Sequence, residues 1–255
     1  MATSLQMIDK DLKEYLDFKA NQYNNIEFIN SDPIQLVHQF DKKEDIEIVA
    51  FLIATIAWGK RQMIIKSGEK LLKIMGDSPY DFIINYSSNY QYQFVHRTFN
   101  AIDLDFFFRS LQNIYKNGSL ESCFTPHQTV KGGMGRIITF REIFLATPHD
   151  IRSEKHLSNP LKNSAAKRLN MFLRWMVRDD KCGVDFGIWK TISPSELNIP
   201  LDVHTGNISR ELGLITRKQN DGKALEELMT KLREFNPKDP AIYDFALFGI
   251  GAFES

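Results

Sequence analysis

An all-α, multi-helical protein is what this sequence predicts, and three observations carry the prediction. Apolar residues return at three- and four-residue spacing along almost the whole chain, which is the repeat of one helical face. No stretch alternates apolar and polar residues between hairpin-turn signals, so strands find no support in the sequence. At 255 residues, 43% hydrophobic and 25% charged, the chain is long enough to bury a real core without covalent staples.

Taken in order, the first clear helix is 45–58, where IEIVAFLIATIAW follows Asp45. It is apolar nearly all round, as a central buried helix must be, and its length favours helix over buried strand. Helices over 62–75, 79–86, 103–116 and 135–145 follow, then 165–178, 204–212, 223–234 and 240–253. Ser78-Pro79, Ser193-Pro194 and Asp239-Pro240 each set a capping side chain before a proline suited to the first helical position, and Ser193 with Glu196 has capping-box spacing. Gly213 reads as a helix-ending glycine. The least regular stretch, TPHQTVKGGM at 125–134, is a surface turn: Lys131-Gly132-Gly133 lacks the Gly-Lys-Ser/Thr ending of a phosphate loop. No repeat or low-complexity linker divides the chain.

Composition narrows the function classes. Cys123 and Cys182 are far apart and lack metal-ligand spacing, which excludes a disulfide scaffold, a zinc ribbon and a four-cysteine iron-sulfur cluster; no metal and no other cofactor is expected. MATSLQMIDKDLKEYL has neither the basic start nor the apolar run of a secretory leader, and no apolar stretch approaches the roughly 20 residues of a membrane span. A cytoplasmic monomer that makes no membrane contact is the expectation. Lys plus Arg and Asp plus Glu balance at 32 each, which argues against binding nucleic acid through bulk charge. The balance is uneven along the chain, however. Residues 1–50 hold ten acidic and five basic residues, 58–73 one acidic and five basic, and 152–181 three acidic and eight basic. A local polyanion site therefore remains open.

The chemistry-bearing residues lie in two segments. In 162–178, KNSAAKRLNMFLRWMVR, Ser164 is placed to cap a helix whose Leu169, Phe172, Leu173 and Met176 share one apolar face. Lys167, Asn170, Arg174 and Arg178 fall on the opposite, polar and basic side, which by itself reads as a solvated face. In 199–214, IPLDVHTGNISRELGL, Asp202 follows a proline and precedes a helix, where its carboxylate caps the helix and is stabilised by the positive helix end. By itself Asp202 is an N-cap, and His204 is a helix-end hydrogen-bonding residue.

Together, a lysine in the first turn of one helix and a Pro-x-Asp-x-His start to another resemble the helix-hairpin-helix DNA glycosylases, which carry a Gly/Pro-rich loop and an aspartate. Lys167-Arg168-Leu169-Asn170 resembles the Lys-Thr-Ala-Asn start of the second hairpin helix of endonuclease III. Pro200-Leu201-Asp202-Val203-His204 is similar to the Pro-Val-Asp-Val-His of 8-oxoguanine glycosylases, and 204–214 to the helix after it. More weakly, YDFALFGIG at 243–251 resembles the late helix of these enzymes. The long lysine-to-aspartate spacing resembles the archaeal 8-oxoguanine branch, and the whole chain is similar to a bacterial family assigned to this superfamily.

The resemblance implies two helical subdomains with a cleft between them, a hairpin and catalytic core at about 160–214, and the remaining N- and C-terminal helices in the other subdomain. It implies a base-excision DNA glycosylase, with abasic-site lyase activity, acting on double-stranded DNA at a flipped damaged base such as 8-oxoguanine or at an abasic site. Lys167 would be the nucleophile and Asp202 the carboxylate that offsets the developing positive charge. The loop Asn163-Ser164-Ala165 and the side chains of Arg168, Arg174 and His204 would meet the DNA. Trp58, His96 and Arg97 are candidates for the base pocket. The sequence departs from the family where Asn163-Ser164-Ala165-Ala166 replaces a Gly-x-Gly loop, although Asn163 can adopt positive φ. A second register places Arg168 at the lysine position; arginine stays protonated and cannot form a Schiff base. A non-catalytic helix-hairpin-helix module that binds nucleic acid or a protein is the alternative.

Overall fold

The structure, a computed structural model, describes residues 9–88, 92–179 and 181–254. It is mostly helical, with one two-stranded antiparallel hairpin among the described residues. Backbone contacts divide the chain into two compact units, Ile29–Asn159 and Met1–Phe28 with Pro160–Ser255. The C-terminal helices thus group with the 160–214 segment, whereas the expectation had assigned them to the other subdomain.

The continuous unit is built around α2 (Lys43–Ile56). Every residue from Asp45 to Ile56 is buried, as the apolar run required. Phe51 at its centre meets the rings of Phe107, Phe140 and Phe144 at centroid distances of 5.7, 5.4 and 5.3 Å. Glu47, buried within this helix, accepts a hydrogen bond from the Tyr115 hydroxyl at 2.7 Å; burial and that carboxylate push the phenol well above its ordinary value. Helix α3 (Arg61–Met75) packs close because position 68 is glycine: a Cβ there would lie 2.3 Å from Leu36 Cδ1 and 2.7 Å from Ile53 Cδ1.

The short α4 (Pro79–Ile84) begins at Ser78-Pro79 as expected, but without a side-chain bond from Ser78. Asp45 supplies the cap from α2, accepting from the Tyr80 N–H at 2.6 Å. Next come β1 (Val95–His96) and β2 (Phe99–Asn100), paired antiparallel. Two residues per strand are too few for the alternation that would reveal them in sequence. Asn100 then opens α5 (Ala101–Asn117) with a complete capping box to Asp103. Helix α6 (Gly132–Leu145) starts three residues earlier than the expected 135.

The second unit contains α1 (Asp9–Tyr23), α7 (Lys167–Val177), α8 (Val203–Glu211), α9 (Gly222–Phe235) and α10 (Tyr243–Gly249). The sequence pattern missed α1, which buries only Leu12, Leu16 and Ala20. It packs along α10, with the Tyr243 hydroxyl donating to Asp17 Oδ1 at 2.8 Å. The single helix expected over 240–253 is three pieces: a 3-10 turn at Pro240–Ile242, α10, and a π-helical turn at Ile250–Glu254. Tight approaches accompany the break. A Cβ on Gly249 would fall 2.1 Å from the Tyr23 ring, and one on Gly251 would fall 3.1 Å from His204 Cβ. The last helical turn of α8 closes as expected on Gly213, at φ +72°, with Leu214 N–H donating to Ser209 and Gly213 N–H to Arg210.

Candidate active site

Helix α7 starts later than its capping pattern suggests. Asn163 (φ 60°) and Ala166 (φ 46°) are both left-handed, so the chain turns twice before helical geometry begins. Ala166 therefore occupies the cap position, without a side-chain bond. Ser164, the expected cap, instead accepts from the Ala166 N–H at 3.1 Å. Ala165 is buried and its carbonyl accepts from Asn170 Nδ2 at 2.9 Å; its methyl is part of the core and not of a DNA-facing surface. Asn163 is exposed, but its side chain is engaged by the start of α9. Its Nδ2 donates to Asp221 Oδ2 at 3.0 Å, and its backbone carbonyl and Oδ1 accept from Gly222 N–H at 2.8 Å and Lys223 N–H at 3.2 Å. Asn163 thus helps cap α9, whose N-cap Asp221 is held well below the usual carboxylate range by Arg217.

The apolar face of α7 is as read: Leu169, Phe172, Leu173 and Met176 are buried. The opposite face is not solvated. Arg174 is 4% exposed and Arg178 1%, and Asn170 is fully buried. Arg174 bonds Asp185 at 3.2 Å and also Asp244; Arg178 bonds Asp185 at 2.7 Å and Asp239 at 2.9 Å. Three aspartates, Asp185 just beyond the helix and Asp239 and Asp244 from far along the chain, allow these guanidiniums to be buried. Arg174, expected at the DNA, is an interior residue. Burial pushes Asp244 up to about 6, an effect that Arg174 only partly offsets.

Lys167 is the exception on that face. As the first residue of α7 it remains 38% exposed, and its Nζ lies 3.1 Å from Asp202 Oδ2. Asp202 is the N-cap of α8, its Oδ1 accepting from the Thr205 N–H at 2.9 Å. Burial raises the Asp202 pKa, but the Lys167 charge and the Thr205 bonds outweigh it and hold the carboxyl below its ordinary value. The backbone carbonyl of Asp202 is fixed too, by Asn220 Nδ2 at 2.7 Å, and Asn220 in turn accepts from Arg210 Nη2 at 2.5 Å. Gly206 makes room for this brace: a Cβ there would sit 2.4 Å from Asn220 Oδ1. The sequence reading passed over Asn220 and Arg210, whose only local signal is an Asn-Asp-Gly turn ahead of α9.

The first turns of α7, α8 and α9 are therefore tied together through Lys167–Asp202, Asn163–Asp221 and Asn220–Asp202. Of the other expected contacts, His204 is exposed, with Gly251 against its Cβ. Arg168 is half-buried, and burial pushes its guanidinium down to about 10, still charged at neutral pH. An amine and a carboxylate held 3.1 Å apart can exchange a proton directly.

In the continuous unit, Trp58, His96 and Arg97 line one cavity of about 300 Å³ together with Gly59, Lys60, Met63, Ser67 and Val95. The His96 ring meets Trp58 edge-on at 4.9 Å. Its Nε2 is 3.1 Å from the Trp58 carbonyl, which can only accept, so Nε2 carries a proton; Nδ1 lies 2.9 Å from Ser67 Oγ.

Among the described residues, no group of three or more His, Cys, Asp and Glu side chains is placed to hold a metal ion, and no helix is long and apolar enough to cross a membrane. A family profile described as "Protein of unknown function (DUF2400)" matches residues 32–253. No curated protein and no solved structure matches the chain.

Proposed function

The chain belongs to the family described as a protein of unknown function (DUF2400), and from the pairing of Lys167 with Asp202 we propose that it is a DNA glycosylase with abasic-site lyase activity. The observation that carries the reading is the 3.1 Å approach of Lys167 Nζ, on the first residue of α7, to Asp202 Oδ2 at the cap of α8. Excision needs a group to stabilise an oxocarbenium-like sugar and a nucleophile to capture it. Asp202, kept ionised by Lys167 and Thr205, supplies the negative charge and accepts a proton from the lysine ammonium. The C1′–N bond to the base breaks, its electron pair leaving with the base, and a C1′–N bond to Lys167 forms. Ring opening gives a Schiff base. Loss of a 2′ proton then expels the 3′ phosphate by β-elimination. The ion pair also supports Lys167 over Arg168 as the amine, because a guanidinium cannot carry out this step. A damaged base such as 8-oxoguanine in duplex DNA is the proposed substrate.

Borohydride trapping on duplexes containing 8-oxoguanine or an abasic site tests the reading. A covalent adduct is expected from the wild-type chain and from Arg168→Ala, but not from Lys167→Ala. Asp202→Asn is expected to bind DNA normally and to lose at least about 100-fold in turnover. Absence of any wild-type adduct across a lesion panel would refute the lyase. If structure-selective, salt-sensitive binding persisted, a non-catalytic nucleic-acid module would take its place; the use of Asn163 as a cap for α9 favours that second reading.

A further inference from the structure

The brace behind Asp202 lies wholly within the unit that carries α7, α8 and α9. We propose that Asn220 is a positioning residue, which together with Arg210 and the open face of Gly206 aims the Asp202 carboxylate at Lys167. The lyase reading supplies the chemical purpose of this device, while its geometry is independent of any substrate.

Asp202 divides its carboxylate between two partners. Its Oδ1 is committed to the Thr205 N–H at 2.9 Å and its Oδ2 faces Lys167 Nζ at 3.1 Å, so the direction of the carboxylate follows the backbone of the cap residue. That backbone is extended, at φ −116° and ψ −167°, and it is held through its carbonyl. The carbonyl accepts from the Gly206 N–H at 2.9 Å, the first bond of α8, and from Asn220 Nδ2 at 2.7 Å. The helix forms with the first bond alone; the second fixes the cap residue without extending the helix.

The brace has a defined polarity. A guanidinium only donates and a backbone carbonyl only accepts, so Asn220 must turn Oδ1 to Arg210 and Nδ2 to Asp202. Arg210 also donates, through Nε, to the Arg217 carbonyl at 2.8 Å. Among the described residues it has no carboxylate partner, so a half-buried charge serves to orient an amide, and the charge-assisted bond strengthens the next one along. The Arg217 side chain continues the tie to Asp221 at 2.6 Å, and Asp221 accepts from Asn163 ahead of α7. The loop 212–221 thus fastens the start of α8 to the start of α7, where Lys167 stands. Gly206 shows what the arrangement requires. Glycine is a poor residue for a helix interior, yet a Cβ here would fall 2.4, 2.7 and 2.8 Å from Asn220 Oδ1, Nδ2 and Cγ. Helix α8 gives up propensity where Asn220 passes.

Three variants of the full chain test this: Asn220→Ala, Gly206→Ala and the two combined. Trapping on an abasic duplex at saturating DNA is expected to slow by about 10- to 100-fold in either single variant, the effect of displacing a reacting group by about 1 Å. The Kd for the duplex should change by less than about twofold. The combined variant should be no slower than Asn220→Ala, because the atoms that a Cβ at 206 would strike are gone. A second readout needs no substrate. In an NMR titration the Asp202 carboxyl, assigned by its loss in Asp202→Asn, is expected to titrate at least about one pH unit higher in both single variants, as Lys167 ceases to offset burial. Asp244, which shares the field of Asp202, stays on Arg174 in all of them. Circular dichroism melts give the folded fraction to which the rates are normalised. An Asp202 titration unchanged in both single variants would overturn the proposal. So would additive losses in the combined variant, or normalised trapping in both single variants within about twofold of a wild type that does trap. If the wild type traps no duplex yet the titration moves, the lyase fails and the brace stands. If the wild type traps and the titration does not move, the brace fails and the lyase stands.

Discussion

Arg174→Met removes the guanidinium shared by Asp185 and Asp244 while keeping an unbranched side chain of similar reach. Asp185 retains Arg178 at 2.7 Å, so the exposed weakness is Asp244, whose named partner is Arg174. Leaving one partner of a buried ion pair uncompensated costs about 3–5 kcal/mol. Asp244 can escape by taking up a proton, and burial has already pushed it up to about 6. Its folded pKa lies above the ordinary unfolded value, so its stabilising contribution is fully present below about pH 4 and is lost as pH rises through about 6. Without Arg174 the pKa rises further. The penalty of the variant is then largest at pH 7.5 and shrinks by up to about 1.4 kcal/mol per pH unit on acidification. Circular dichroism melts should show a Tm drop of roughly 6–20 °C at pH 7.5, taking about 2–4 °C per kcal/mol for a chain of this size, and less than half of it at pH 5. Adding Asp244→Asn should recover much of the loss at pH 7.5. Equal losses at the two pH values, or a loss below about 1 kcal/mol, would refute the view that Arg174 neutralises a buried charge behind the Lys167 helix.

Asp103 offers the opposite sign. Burial disfavours its charge, but the contacts from His156, Ser153 and the Asn100 N–H outweigh this and hold it down to about 2; Arg152 adds a bond at 2.9 Å. Its contribution is present above about pH 4 and is lost as pH falls through about 2, so Asp103→Asn should cost about 2 kcal/mol at pH 7 and almost nothing near pH 2, measured by urea unfolding. At Ala166, φ 46°, glycine would relieve strain but lose a buried methyl and add backbone entropy, so urea unfolding of Ala166→Gly should lie within about 0.5 kcal/mol of wild type. Ala166→Val should cost about 2 kcal/mol or more; a tolerated valine would show that the turn into α7 is not left-handed.

Local chemistry was the legible part of this sequence. The apolar run of α2, the cap at Asp202 and the glycine closing α8 are all decided by neighbours a few residues away, and each stands where expected. The likeness that put Lys167 with Asp202 spanned 35 residues, and the two groups do meet. Trp58, His96 and Arg97, picked out for their chemistry in two separate segments, share a cavity. What could not be read depends on partners remote in sequence. Helical periodicity assigns Arg174 and Arg178 to a polar face. It has no means of knowing that Asp239 and Asp244, from far along the chain, wait on the other side. Likewise the break after Gly249 arises where Tyr23 presses on the backbone from the far end of the chain. Helix α1 escaped because three buried residues in fifteen make too narrow a stripe.

The packing of α1 along α10 has a consequence for the order in which the protein is made. One unit, Ile29–Asn159, is a single stretch of chain, whereas the other needs Met1–Phe28 and Pro160–Ser255 together. During synthesis the first can collapse as soon as its last residue has emerged, while α1 must wait for a partner more than two hundred residues downstream. Closing so long a loop is slow, and the waiting surface is open to aggregation. The side chains of Lys167 and Asp202 belong to the late-forming unit, so a translation product arrested before α10 would contain both residues without the packed unit that holds them.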